Sequence, residues 1–578
     1  MATSRRLGWG SILLAAVVVQ RALFVASTRD DPVFRVPYLD GAFYHVWARS
    51  LAAGRGDFEA PYFLGPLYPY AVSWLYRVFG ADPFVVRLAQ SVLGVIDIAL
   101  VLHLATRLFG RTAGLAAAVA FALYGPQLFY EGILVPDVPF TTLVLLALWL
   151  LLSERGRPAV RAGLAGALLG AAALVRPTAL LLVPVAAWIT GQRAPVHWRL
   201  RHAAMCVALC GVVVLPVMVR NARLGGGFVI TTNGGVNFFA GNGPRANGRF
   251  HEPAGVMFFR SPVLDAAAHD ANLPPAVAAR ALTVVAAAGT DEAAHSGVWM
   301  QRARVWMRAH PAEALALPFR KAWLLLQRRE ISQIESYSFQ AHRMPMLRAM
   351  GVDFGWLWSL AALGLWQARR KAPSQSLAIG AWIAALLAPS LVFFVTGRHR
   401  LIAAPEVALL AGVGVATLLE SVRQRAVRRL AWQVAAVAPL AVAAQLGGQP
   451  VHGASGWEQA QMAERFYAAG DLADAIAAQE RAAAELSERF EVQVNLALYW
   501  SERAAAGDLE RAERLLAQAV RKWPGEPAVV YNLGVIEAER GRTVEATEAW
   551  RAALRLDPTF EPARTRLAEL ETPVSPAP

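Results

Sequence analysis

From about residue 9 to residue 447 the chain is a succession of apolar blocks separated by short polar connectors. Blocks of roughly 15 to 25 residues are long enough, or nearly so, to cross the ~30 Å hydrocarbon core of a bilayer as helices. In lipid each spanning segment must satisfy its own backbone hydrogen bonds, which a helix does within itself. The pattern therefore predicts an all-α, polytopic membrane helix bundle with about eleven spans, near 9–27, 85–108, 112–129, 133–152, 161–175, 177–191, 203–220, 354–369, 376–396, 400–419 and 430–447. Composition agrees: 56% of residues are hydrophobic and 17% charged, with a mean hydropathy of +0.37. A soluble globule could not hide that much apolar surface.

The net charge of +14 raises the possibility of nucleic acid as a partner. The basic residues lie instead in connectors, which marks them as topology signals and argues against a nucleic-acid partner. With Arg5 and Arg6 inside, the connectors holding Arg107 and Arg111, Arg155, Arg157 and Arg161, Arg193, Arg199 and Arg201, Arg369 to Lys371, and Arg423 to Arg429 all fall on the cytoplasmic side. The loop of 28–84, the long segment 221–353 and the chain beyond residue 447 then lie outside. Gln20 and Arg21 interrupt the first apolar run, so it reads as a retained helix rather than a cleaved signal peptide. Cys206 and Cys210, four residues apart in one block, read as small apolar residues of a single helix face.

Residues 456–571 are different, being rich in Ala, Glu and Arg. Gly470-Asp471-Leu472, Gly507-Asp508-Leu509 and Gly541-Arg542-Thr543 recur at separations of 37 and 34 residues. That period is the signature of tetratricopeptide repeats, an α-solenoid whose stacked helix pairs offer a concave surface for a peptide or partner protein. The division predicted is a membrane domain over 1–447 and about three repeats over 456–571.

The candidate chemistry gathers in the external connectors. Asp40 follows the first span in Leu39-Asp40-Gly41-Ala42-Phe43-Tyr44, where a carboxylate at a wet boundary can accept a proton. Glu131 and Asp137 flank the turn between the third and fourth spans, and acids so close to lipid are usually turned toward a cavity or partner. Asp137 also precedes an apolar helix whose start favours negative charge. Arg176 sits in Arg176-Pro177-Thr178, and Arg398 and Arg400 in the turn Gly397-Arg398-His399-Arg400. Such arginines serve as interfacial anchors or form charge-assisted bonds to phosphate. Asn233 and Asn242 lie in Gly/Asn-rich turns whose amides suit hydroxyl-rich ligands. The apolar stretch from Pro318 to Leu326 reads as a helix lying in the outer interface, a twelfth span being the alternative.

Together these positions, with Gly65-Pro66-Leu67-Tyr68-Pro69 and Arg220-Asn221, resemble the GT-C superfamily of membrane glycosyltransferases, in the branch of protein O-mannosyltransferases and lipid A aminoarabinose transferases. The resemblance covers about residues 8–447 and implies sugar transfer from a polyprenyl-phosphate donor to a protein, lipid or glycan acceptor on the external, periplasmic face of an inner membrane. It implies Asp40 as general base, and Arg398, Arg400 and Arg176 as partners of the departing phosphate. Tyr44 is one of its carriers; Glu131 and Asp137 would position sugar or acceptor, or hold a divalent metal ion, the one cofactor under consideration. A single displacement would invert the anomeric centre. Two other classes compete. A transporter or flippase would use the intramembrane Arg21, Arg87, Asp97 and His103, although no internal repeat of the transporter kind is visible. An envelope scaffold would use the repeats alone.

Overall fold

The computed structural model describes residues 8–55, 57, 60–154, 156–192, 196–250, 258–259, 284–285, 292–333, 336–446 and 456–571. Arg5, Arg6, Arg155 and Arg193 of the topology argument lie outside the described residues, as do 251–257, 260–283 and 286–291 of the long external segment. Apart from a two-residue antiparallel pairing of Phe258–Phe259 with Val284–Val285, the regular structure described is helical. The chain forms two compact units, Met1–Pro450 and Val451–Pro578.

Among the described residues of the first unit, seven helices are long and apolar enough to cross a membrane: Trp9–Ser27, Pro83–Phe109, Pro158–Val175, His197–Arg223, Pro373–Val392, Ala404–Arg423 and Val427–Leu446. Arg111–Ala122, Asp137–Leu152 and Pro177–Gln192 are shorter apolar segments. This is a multi-pass membrane protein. Small residues let its helices approach closely: the Gly163, Gly166 and Gly170 face of Pro158–Val175 packs on Met205, Cys206 and Cys210. The two cysteines are buried free thiols in that seam.

Proline decides where several apolar blocks end. The block expected to span 112–129 is two helices, Arg111–Ala122 and Gly125–Glu131, because Pro126 opens the second. Proline has no N–H to continue the first ladder and suits the opening turn of the next. Pro389 lies in the last turn of Pro373–Val392, and Pro405 opens Ala404–Arg423, so residues 393–403 form a separate turn around the short helix Gly397–Leu401. The segment Pro311–Leu326 is helical, with Leu315, Phe319 and Trp323 exposed and Leu317, Lys321, Leu324 and Leu325 buried.

The second unit is a set of antiparallel helix pairs. Gly456–Ala468 precedes Leu472–Glu485, Phe490–Arg503 precedes Asp508–Lys522, and Pro527–Glu539 precedes Thr543–Leu556, with Glu561–Glu571 last. Gly470, Gly507 and Gly541 turn the chain with positive φ at the same place in each pair, a conformation L side chains resist. The buried alanines Ala482, Ala497, Ala512, Ala519, Ala546 and Ala553 line the seams, and Leu516, Ile536 and Trp550 fill the clusters between them.

Candidate active site at one end of the helix bundle

Four of the sequence-selected residues meet where helices of the first unit end. Asp137 is the first residue of Asp137–Leu152 and is fully buried. Arg176 directly follows Pro158–Val175, and Arg398 sits in the one-turn helix Gly397–Leu401. Asp40 opens the helix Asp40–Ala52. Arg398 Nε donates to Asp137 Oδ2 at 2.9 Å and Arg398 Nη1 to Asp40 Oδ2 at 3.1 Å. Arg176 Nη2 completes the chain, 2.5 Å from Asp137 Oδ1. Segments 358 and 261 residues apart in sequence are therefore joined through one guanidinium.

Burial grades these charges. Arg398 is 6% exposed, Asp137 0% and Arg176 18%, whereas Asp40 is 35% exposed. Burial alone disfavours the Arg398 charge; Asp137 and Asp40 outweigh it and hold the guanidinium protonated. Leu39, just before Asp40, takes φ +45°, a conformation that costs an L side chain energy and sets the angle at which the Asp40 helix begins. Gly65 approaches the far end of the same group. A Cβ there would collide with the carbonyls of Leu174 and Val175, so only glycine lets this loop lie flush on the strand of backbone carrying Arg176.

Tyr44 lies beneath Asp40 on the same helix, packed edge-on against Tyr68 with ring centroids 5.0 Å apart. Burial first, and then the neighbouring Asp40, push its phenol well above the ordinary range, so it stays protonated. Tyr68 in turn donates to Gln90 at 2.8 Å, and Gln90 donates to the carbonyls of Glu131 and Ile133 at 3.0 and 2.8 Å. That network fixes the turn leading to Asp137.

The other sequence candidates go elsewhere. Glu131 is fully buried against Arg21 of the first helix, with Nη2 to Oε1 at 3.0 Å and Nε to Oε2 at 3.2 Å, and accepts from Gln127. It is not brought to the Asp40 group. Arg400 is buried with 0% exposure; its guanidinium donates to the carbonyls of Gln327 and Arg329 and to Glu330 Oε2 at 3.0 Å. Asn242 donates to the Val392 carbonyl at 2.7 Å and accepts from the buried Lys321 at 2.9 Å, while Asn233 accepts from Thr231 at 2.9 Å. His399 accepts no charge under ordinary conditions, its pKa lowered to about 3 by burial and by the adjacent Arg176 and Arg398.

The suggestion that Glu131 and Asp137 share a divalent ion meets a donor set that does not suit it. Asp137 gives both oxygens to arginines and Glu131 gives both to Arg21. Among the described residues no group of three or more His, Cys, Asp or Glu side chains is placed to hold a metal.

Asp57 and Tyr62, which the sequence did not single out, meet Arg220 and Asn221 of the Arg220-Asn221 pair. Asp57 accepts from Tyr62, from Tyr70 at 2.7 Å and from Trp47 at 3.0 Å, with Arg220 stacked 3.9 Å over the Tyr62 ring. Asn221 accepts from the Tyr62 amide at 3.1 Å and donates to the carbonyls of Val229 and Ile230. This knot pins the loop before Gly65 to the start of the long segment that follows Asn221. The tyrosine-rich stretch around Gly65 was the available signal.

The fold and these residues together describe a helical membrane protein with an arginine–aspartate chain at one end of its bundle. Residues 61–219 match the family described as dolichyl-phosphate-mannose-protein mannosyltransferase, a stretch that holds Glu131, Asp137 and Arg176. Over that stretch the chain is similar to that family of mannosyltransferases. No curated protein matches the sequence. Among solved structures, ArnT from Cupriavidus metallidurans bound to undecaprenyl phosphate aligns at 14% identity over 94% of this chain and 77% of its own, with a TM-score of 0.41. The oligosaccharyltransferase of Archaeoglobus fulgidus in the apo form aligns at 14% identity over 78% of this chain and 57% of its own, with a TM-score of 0.40. The protein O-mannosyltransferase Pmt1-Pmt2 complex of S. cerevisiae, bound to the sugar donor, aligns at 14% identity over 45% and 39%, with a TM-score of 0.30.

Proposed function

We propose that this protein transfers a sugar from a polyprenyl-phosphate donor to an acceptor hydroxyl at the external face of the membrane, with inversion at the anomeric carbon. The observation that carries the reading is the chain Asp40–Arg398–Asp137–Arg176, in which a half-exposed carboxylate and a buried, doubly anchored guanidinium meet at 3.1 Å. The donor's lipid tail remains in the bilayer and its phosphate lies at the surface, within reach of Arg398. A phosphate arriving there competes with Asp40 for Nη1 of Arg398. Once displaced from that bond, the Asp40 carboxylate is left to take the proton from the acceptor hydroxyl as the new glycosidic bond forms.

Arg398 then meets the charge that grows on the departing phosphate oxygen. Because Asp137, itself paired with Arg176, already holds it in place, little reorganisation accompanies the reaction. The acceptor oxygen bonds to the anomeric carbon, the bond from that carbon to phosphate oxygen breaks, and polyprenyl phosphate leaves. The basic connectors favour a cytoplasmic position for the opposite helix ends, where Arg107 pairs with Glu154 at 3.1 Å. In this reading the site lies on the periplasmic side of a bacterial inner membrane. The second unit is proposed to bind a protein partner or acceptor on its stacked helices.

The direct test is to supply membranes containing the protein with radiolabelled polyprenyl-phosphate sugars and to follow both the released lipid phosphate and the labelled acceptor. Transfer from at least one donor, with an inverted anomeric centre in the product, is expected. Absence of released lipid phosphate with every hexosyl and pentosyl donor sinks the reading.

A further inference from the structure

On a helix successive residues are rotated by about 100°, so Arg398 and Arg400 in the one-turn helix Gly397–Leu401 point to nearly opposite sides. Arg398 faces Asp137 and Asp40; Arg400 faces the segment from Gln327 to Glu330. There its guanidinium is enclosed, donating to the Gln327 and Arg329 carbonyls and to Glu330 Oε2, with the Phe354 ring 5.6 Å beneath. The other oxygen of Glu330 accepts from Tyr124 at 3.0 Å. Tyr124 lies at the break between Arg111–Ala122 and Gly125–Glu131, the break that aims the Glu131–Asp137 turn.

Backbone contacts reinforce the grip. The Gly397 amide donates to the Ile331 carbonyl at 2.8 Å, and the Val395 amide to the Gly248 carbonyl at 2.9 Å. A Cβ at position 397 would collide with the Glu330 carboxylate, so the turn and the acid are fitted to each other. Burial pushes Glu330 above the usual carboxylate range, against the opposing pull of Arg400 and of the hydrogen bond from Tyr124.

We infer that Glu330 is a positioning residue, which clamps Arg400 and Tyr124 and thereby sets the placement of Arg398 toward the donor phosphate. This rests on the reading of Arg398 as the phosphate partner. It also reassigns Arg400 from phosphate contact to anchor. The mechanism is geometric: a guanidinium displaced by about 1 Å loses much of its effect on a reacting group.

The test measures binding of undecaprenyl phosphate, without sugar, to the purified full-length protein in detergent, alongside thermal unfolding. Glu330→Gln and Arg400→Met are each expected to weaken binding by about tenfold, the loss of one charge-assisted bond at Arg398. The double substitution is expected to weaken it no further, because both act through one contact. Tyr124→Phe, which removes a single hydroxyl, is expected to weaken binding several-fold with an unchanged unfolding temperature, and it decides the matter if the Glu330 variant does not fold. Wild-type affinity in a folded Glu330→Gln or, failing that, in Tyr124→Phe overturns the inference, as does a double variant whose losses multiply. In those cases the reading of Arg398 stands. Wild-type protein that binds no undecaprenyl phosphate overturns that reading and this inference with it.

Discussion

Replacing Arg398 by lysine keeps the charge and removes the geometry. The guanidinium uses two separate nitrogens, Nε on Asp137 at 2.9 Å and Nη1 on Asp40 at 3.1 Å, to span two carboxylates from different parts of the chain. A lysine ammonium is a single point that cannot copy that planar fork. It will stay with the fully buried Asp137, whose carboxylate otherwise loses half its compensation, and will abandon the outward position. One charge-assisted hydrogen bond is then missing from the departing phosphate, about 1.5–3 kcal/mol, or a fall in kcat on the order of 10- to 100-fold. The bond strengthens as the phosphate gains charge, so kcat should fall more than the donor KM rises. The assay is initial-rate transfer from labelled donor by purified protein, with the unfolding temperature measured on the same sample. A folded Arg398→Lys variant with kcat within about twofold of wild type refutes the reasoning, since the cited bond energy leaves no room for so small an effect.

Glu131→Gln separates the buried pair at Arg21 from the site. Breaking a buried ion pair on one side costs roughly 3–5 kcal/mol, so a clear drop in unfolding temperature is expected, with kcat of the folded protein unchanged. A large loss of kcat at unchanged stability returns Glu131 to the reaction. Acid should destabilise the protein through His45, which is buried and bonded to the Tyr76 hydroxyl at 2.7 Å and has its pKa lowered to about 3, chiefly by burial. The unfolded chain takes up this proton near pH 6.5 and the folded one does not, so the stabilisation is complete above pH 6.5 and is lost as pH falls toward 3. The slope is up to about 1.4 kcal/mol per pH unit for this group. Thermal unfolding between pH 7 and 4 should show it, and His45→Asn should flatten the curve; an equally steep curve in that variant contradicts the assignment.

Some of this was legible in the sequence because charge is costly near lipid. Asp40, Asp137, Arg176 and Arg398 stand out against apolar surroundings, and four such residues in connectors at helix ends had few places to go but toward each other. Hydropathy could not separate Arg398 from Arg400. Only the rotation of a one-turn helix, started by Gly397 and ended before Pro405, sends them to opposite sides. Partners were equally hidden, since Glu330 lies 70 residues before Arg400 and Arg21 lies 110 before Glu131. Even so, an arginine inside the first apolar block demands a buried acid, and that inventory alone could have paired it. Helix ends were misjudged where proline, rather than a polar residue, ended a block, as at Pro126 and Pro405, because apolar character continues across the break.

The most direct test of the account compares sugar transfer from polyprenyl-phosphate donors by wild-type protein and Asp40→Asn in membranes matched for expression. The account predicts transfer by the wild type and its loss by a factor on the order of 100 or more in the variant, because an amide cannot take the acceptor proton. Equal transfer by both proteins contradicts it, removing Asp40 from the chemistry and with it the meaning given to its bond with Arg398.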